Sequence, residues 1–263
     1  MSDGRRSFIS RIGPPALMLV VAVAAWEGYL RLAHVPGYIM TPPSDIARTM
    51  FDADDRGELL SAFCWTALAA SVGFAASTII GILLAILLSS SSLIRRAIYP
   101  YTIFFQTVPI IAIAPMLVLF VGFGFWPVLV CAFIVSVFPV IVNTLVGLLS
   151  TEPALRDLFR LYGAGSFATL WKLRLPSALP NILAGLRVAS GLAVIGTVVA
   201  EFMVGKMIGN GVGLGVIIVT GTAHRMDKAS AAVLLASLLG LGMFAAVNVA
   251  GWLALRRWHA SEK

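Results

Sequence analysis

The sequence predicts an all-α membrane protein that crosses the bilayer six times, and three observations carry that expectation. Of 263 residues, 59% are hydrophobic and 12% charged, against roughly 25% charged in an ordinary soluble domain. Too little charge remains to cover a soluble surface. The apolar residues run continuously rather than alternating, which favours helices over barrel strands, the only two ways of pairing every backbone group in lipid. Finally, six runs approach the roughly 20 residues a helix needs to cross the hydrocarbon: 14–32, 63–88, 98–121, 124–148, 181–203 and 229–255.

The first run follows the head "MSDGRRSFISRIG". It is long for a signal-peptide core and lacks a small-x-small cleavage pattern, so it reads as a retained span. In the second, small residues recur every four positions, at Ala69, Gly73, Ser77, Gly81, Ala85 and Ser89. On a helix they form a thin stripe that another helix can approach closely. The third run contains Pro109 and Pro115 and the fourth Pro127 and Pro139, so kinked central helices are expected. Prolines bend inert bundles too, but bent helices suit a pathway.

Charge then sets direction. With the N-terminus inside, thirteen of the 19 lysines and arginines fall on inner segments, as the positive-inside rule prefers. The expected organisation is a cytoplasmic tail at 1–13, a membrane domain at 14–256 and a cytoplasmic tail at 257–263. An external loop lies at 33–62, a cytoplasmic loop at 149–180 and an external glycine-rich loop at 204–228. The net charge of +7 is scattered between apolar blocks, which suits orientation and anionic lipid rather than nucleic acid. Cys64 and Cys131 read as buried thiols, and His34, His224 and His259 are too isolated to ligate a metal. The "VGKM" at 204–207 has neither the spacing nor the hydroxyl of a phosphate-binding loop, so no nucleotide-hydrolysing site is expected.

The longest inner connection opens with "TEPALRDLFRLYGAG", a short helix by its punctuation. Thr151 is expected to cap it, Pro153 to sit in its first turn, and Gly163 or Gly165 to end it. Leu155, Leu158, Phe159 and Tyr162 share one face, while Asp157 and Arg160 take the polar side. Such a helix can lie on a membrane or dock in a groove on a soluble partner.

The spacing "DLFRLYG", nine residues, then "LRLP" resembles the Glu-Ala-Ala loop of ABC importer permeases. In that motif Glu-Ala-Ala is followed after three residues by Gly, then after nine by Ile-x-Leu-Pro. Gly163 and Leu175–Pro176 stand in register. Asp157, Leu158 and Phe159 replace Glu-Ala-Ala, and Leu173 replaces Ile. "TPPSDI", "VPIIAIAPMLVLFVGFG", "FPVIVNTLVGL", "LPSALPNILAGLRVA" and "VVAEFMVG" with "GNGVGLG" are similar to the nitrate, sulfonate, taurine and bicarbonate branch.

The resemblance implies a six-span inner-membrane permease, type I in fold, with both termini cytoplasmic. It implies a pair of identical subunits, two cytoplasmic ATPase subunits that bind ATP and Mg, and an external binding protein that delivers a small solute. It places ATPase coupling on Asp157, Leu158, Phe159, Arg160, Tyr162, Gly163, Ala164, Gly165, Leu175 and Pro176. The solute is expected to be a sulfonate-, nitrate- or taurine-like anion, or a small heterocycle. The polar and kinking residues of the spans, Thr107, Pro109, Pro115, Asn143, Thr144 and Thr197, are candidate pathway lining. The alternative for the polar ones is interhelical hydrogen bonding. Glu201 ends the fifth span. Either it is an interfacial charge near Lys206, or it ties the span to backbone amides of the glycine-rich loop as an outer gate. A secondary transporter and a lipid- or protein-binding scaffold are the rival readings. The first normally shows repeats and mid-membrane acids, which are not evident here.

Overall fold

A computed structural model describes residues 3–204 and 213–256. Among these every regular element is helical, and five helices are long and apolar enough to cross a membrane, six if one bent pair counts as a span. The chain divides into two compact units, Met1–Leu60 with Ile217–Leu234, and Ser61–Val216 with Leu235–Lys263.

The first unit holds α1 (Asp3–Leu32) and α2 (Pro43–Phe51). Pro43 starts α2 with its fixed φ and no N–H to lose. The Glu27 carboxylate of α1 accepts from the Ser44 N–H at 3.0 Å and the Ser44 hydroxyl at 2.8 Å, and also pairs with Arg31. One acid thus serves one of the orphan donors of the next helix. The unit also contains the start of α3 (Ala53–Ser90), most of α10 (Leu214–His224) and the start of α11 (Met226–Arg256). Here Arg225 bonds Asp55 at 2.7 Å and Asp227 at 2.7 Å, Lys228 reaches Asp55 at 3.2 Å and also pairs with Glu58, and Thr49 donates to Asp227 at 2.8 Å. Hydrogen bonds that it donates to Asp227 and then to Asp55 hold the Arg225 guanidinium above its ordinary pKa. The expected external loop at 33–62 is therefore ordered: it contains α2 and the first turns of α3, which starts at Ala53 rather than 63.

The second unit is built on α6 (Phe125–Leu149). The small-residue stripe of α3 faces it: a methyl group at Gly73 would lie 2.6 Å from Ala132 Cβ, and one at Gly81 2.9 Å from Val140 Cβ. Because both positions advance together, α3 and α6 run parallel. The chain between them, α4 (Ser92–Thr107) and α5 (Ile110–Val121), therefore returns it to the end where α3 began. The expected third span is not one kinked helix but a pair bent by 98°. Val108 and Pro109 are extended, with ψ of 124° and 120°. Pro109 pushes its predecessor out of the helical region and cannot itself donate, so the ladder stops there.

After α6 comes α7 (Pro153–Leu161), then a continuous helical run from α8 (Ser166–Thr169) through a π turn at Leu170–Arg174 into α9 (Leu175–Val204). The fifth apolar helix thus begins at Ser166, not 181, and the non-helical part of the expected 149–180 loop shrinks to the flanks of α7. Pro176 and Pro180 have no N–H for the usual backward bond, and the wider π turn precedes them. Helix α9 packs antiparallel to α6 through glycines on both. At Gly147 a methyl would lie 2.8 Å from Asn181 Cβ, at Gly185 2.8 Å from Asn143 Cβ, and at Gly196 3.1 Å from Ala132 Cα. Helix α11 runs back along α9, with Gly251 against Leu183 and Leu239 clustered with Val194 and Ala70. Cys131 is buried, as its sequence context suggests, but Cys64 is exposed on α3. Small residues cover the buried face there, and Cys64 points away from it.

Candidate functional site

Two places in the second unit gather the chemistry, one at each end. At the end where α3 and α6 finish, α7 stands with none of its residues buried. Leu155 is 40% exposed, Leu158 45% and Tyr162 83%. An apolar face left open on so short a helix is costly in water and asks for a covering surface. Thr151 does not cap it. Glu152 occupies the cap position without a side-chain bond, and the Thr151 hydroxyl donates back to the Leu148 carbonyl at 3.5 Å. Asp157 and Arg160 form an exposed pair at 3.7 Å, which contributes little.

Gly163 closes α7 in the left-handed region, at φ +69°. Its N–H bonds the Arg160 carbonyl at 3.0 Å, and the Ala164 N–H bonds Phe159 at 2.9 Å. That pair of bonds is a Schellman stop, and an L side chain at Gly163 is strained. No atom lies within 4 Å of where a Gly163 methyl would sit, so within this chain backbone conformation is what requires the glycine. Gly165 then opens α8, and Leu175 and Pro176 start α9 beyond the π turn.

Two arginines brace this end. Arg156 donates to the Leu149 carbonyl at 2.8 Å and to Thr151 at 2.6 Å. Arg174 donates to Leu148 at 3.2 Å and to Ser89 at 3.3 Å. They satisfy the last carbonyls of α6 and α3, where cations are favoured. The sequence displays both only as loop charge; their partners are up to 85 positions away.

At the other end Glu201 is fully buried, with 0% exposure. Its carboxylate accepts from the Gly215 N–H at 2.9 Å and from the Thr66 hydroxyl, 2.9 and 3.0 Å from its two oxygens. The same Thr66 oxygen accepts from the Leu214 N–H at 2.9 Å. Glu201 and Thr66 together therefore serve the first turn of α10, where a negative charge is stabilised. Only glycine fits around them. A methyl at Gly213 would lie 2.2 Å from the Glu201 carboxyl carbon, and one at Gly215 2.4 Å from the Val198 carbonyl oxygen. Lys206 and the loop residues 205–212 lie outside the described residues, but the carboxylate already has partners without them. Full burial is not the environment of an interfacial charge.

The remaining candidate lining residues are dispersed. Thr107 is exposed and donates to Phe104, Pro109 makes the break, and Pro115 lies exposed inside α5. Asn143 donates to Pro139 at 2.9 Å and Thr197 to Ala193 at 2.8 Å, each on its own helix rather than across helices. Thr144 is fully buried, and its hydroxyl, like Thr78 Oγ1 and Arg187 Nε, has no protein partner among the described residues. Sequence reasoning passed over the cavity that the break opens, about 350 Å³, lined by Phe105, Gln106, Val108, Ile110, Phe138 and Leu192 among others. None of its lining residues is charged.

Sequence comparison assigns these apolar helices to a family of transport-system membrane components. The chain belongs to that family: residues 77–257 match the family of binding-protein-dependent transport system inner membrane components. It is 33% identical over 245 residues to a formylaminopyrimidine transport permease protein of Halalkalibacterium halodurans, covering 89% of this chain and 91% of that one. A probable ABC transporter permease protein of Haemophilus influenzae is 31% identical, covering 94% and 97%. A putative aliphatic sulfonates transport permease protein of Bacillus subtilis is 28% identical, covering 85% and 80%.

Proposed function

We propose that the chain is the pathway-forming subunit of an ATP-driven importer, six-spanning with both termini cytoplasmic, and that it works as a homodimer. In this reading α7 docks into a groove on each of two ATPase subunits, which bind ATP and Mg and carry out all hydrolysis. An external binding protein delivers the solute. The observation that carries the reading is the open apolar face of α7, braced through Arg156 to the end of α6. A push on α7 is thereby passed to α6, and Arg174 links α6 to α3. At the far end, the Glu201–Thr66 knot on α10 acts as an outer gate that the ATPase stroke must loosen.

The uncharged, phenylalanine-bearing cavity beside the Val108–Pro109 break supports a small planar heterocycle as cargo, with the Gln106 amide as its polar contact. The similarity to the formylaminopyrimidine permease points the same way. The sulfonate permease supports a small anion as the second reading. Reconstitution with the cognate ATPase and binding protein tests the proposal. Uptake should require ATP, all three components and a solute that the binding protein holds. Uptake driven by a proton or sodium gradient without ATPase would refute it. Titrating the binding protein with pyrimidines and with sulfonates decides the cargo.

A further inference from the structure

Beside α7's end of the bundle, a second cavity of about 490 Å³ opens between α4 and α6, lined by Arg95, Arg96, Tyr99, Pro100, Leu145, Val146 and Leu149. Its composition is divided. The two cations are adjacent near the start of α4, one turn after Ser91 caps that helix, and the rest of the wall is aliphatic or aromatic.

Neither arginine forms an ion pair or a hydrogen bond with an acidic side chain among the described residues. Arg95 instead lies close enough to Arg174 for the two positive charges to repel, as Arg156 and Arg174 also do. Arg156 and Arg174 are committed to helix-end carbonyls. Arg95 and Arg96 are not. Positive charge is thus concentrated at the rim of an apolar cleft, at the end of two membrane helices, without a counter-charge among the described residues.

A solvated basic face would account for the charge but not for the cleft. An aqueous anion would be drawn to the arginines but would gain nothing from Leu145, Val146 and Leu149. One kind of molecule matches both halves and is present at high concentration at that depth. We propose that this cavity is a binding site for an anionic phospholipid, its phosphate held by Arg95 and Arg96 and an acyl chain laid over Leu145, Val146 and Leu149. Tyr99, which packs on the α6 core cluster, also lines the cavity and adds an aromatic ring with one polar end. Basic pockets between membrane helices recognise headgroups in this manner. The site bridges α4 to the last turns of α6, next to the braced end that carries α7.

The test uses the full chain in nanodiscs of phosphatidylcholine doped with phosphatidylglycerol that carries a photoreactive acyl chain. Mass spectrometry of the cross-linked peptides reads the position. Labelling should concentrate on 92–107 and 145–149, and photoreactive phosphatidylcholine should not reproduce it. The Arg95→Gln/Arg96→Gln double variant should lower that labelling by about 25-fold, roughly fivefold for each lost cation near a membrane surface. Labelling around Phe244, which is exposed on the apolar helix α11, should stay unchanged and serves as the control for folding. The Arg95→Lys/Arg96→Lys variant should retain most of the labelling. Equal labelling by the two lipids, or persistence in the glutamine variant with the Phe244 control intact, overturns the proposal. So does competition by inorganic phosphate at concentrations that leave ionic strength constant, since that outcome makes the cleft a site for soluble anions.

Discussion

Replacing Glu201 by glutamine removes one charge and leaves the shape almost unaltered. In the native knot the carboxylate accepts from both the Gly215 N–H and the Thr66 hydroxyl, and Thr66 accepts from the Leu214 N–H. A glutamine offers one oxygen and one NH₂. With its oxygen on the Gly215 N–H, that same oxygen lies 3.0 Å from the Thr66 hydroxyl and still accepts its proton, so both contacts persist but neither is assisted by charge. The alternative flip sets NH₂ against the Gly215 N–H, which is worse. Two charge-assisted hydrogen bonds become neutral ones, a loss of about 1.5–3 kcal/mol in all at a buried site. If those bonds exist only while the outer end is closed, the closed-to-open ratio falls by roughly tenfold to hundredfold, at about 1.4 kcal/mol per factor of ten. The assay is ATP hydrolysis by the reconstituted complex with and without loaded binding protein. Basal hydrolysis should rise toward the stimulated rate while insertion and assembly remain normal. A lower unfolding temperature combined with wild-type basal and stimulated rates would refute the gate. The bonds would then be present in both states and purely structural.

Three further outcomes follow from the same geometry. Gly163→Ala places a side chain at φ +69°, a strain of about 1–2 kcal/mol. It should leave the protein inserted while reducing the response of hydrolysis to binding protein, and unchanged coupling would count against α7 as the docking element. Arg174→Gln strips the Leu148 and Ser89 carbonyls of their shared donor, so thermal unfolding in detergent should show a loss of about 1–3 kcal/mol; an unchanged transition would mean that water replaces the guanidinium. Single cysteines at Tyr162 and Asp54, in a background lacking Cys64 and Cys131, should react with impermeant thiol reagents from the cytoplasm and from outside respectively, and reversed labelling would overturn the orientation.

Whatever depends on local composition was already legible in the sequence. Apolar runs too long and too poor in charge for water had to become membrane helices, because each satisfies its own backbone without outside partners. The four-residue stripe from Ala69 to Ser89 showed which face of α3 another helix could approach. The sequence also placed a glycine where α7 must stop, since a positive φ strongly favours that residue. The tertiary structure decided what needs a partner from elsewhere. The 98° break was signalled by Pro109, yet a proline only weakens a helix. Whether the result is a kink or two separate helices depends on what packs around it. Thr151 looked like a cap, but the local competition was won by its bond back to Leu148. Cys64 lies just before the small-residue stripe begins, and its apolar neighbours suggested burial where the fold leaves it exposed. Above all, Glu201 meets Thr66 across 135 positions, and Arg174 meets Ser89 across 85. A buried charge survives only with donors aimed at it, and folding alone brings those donors to its place.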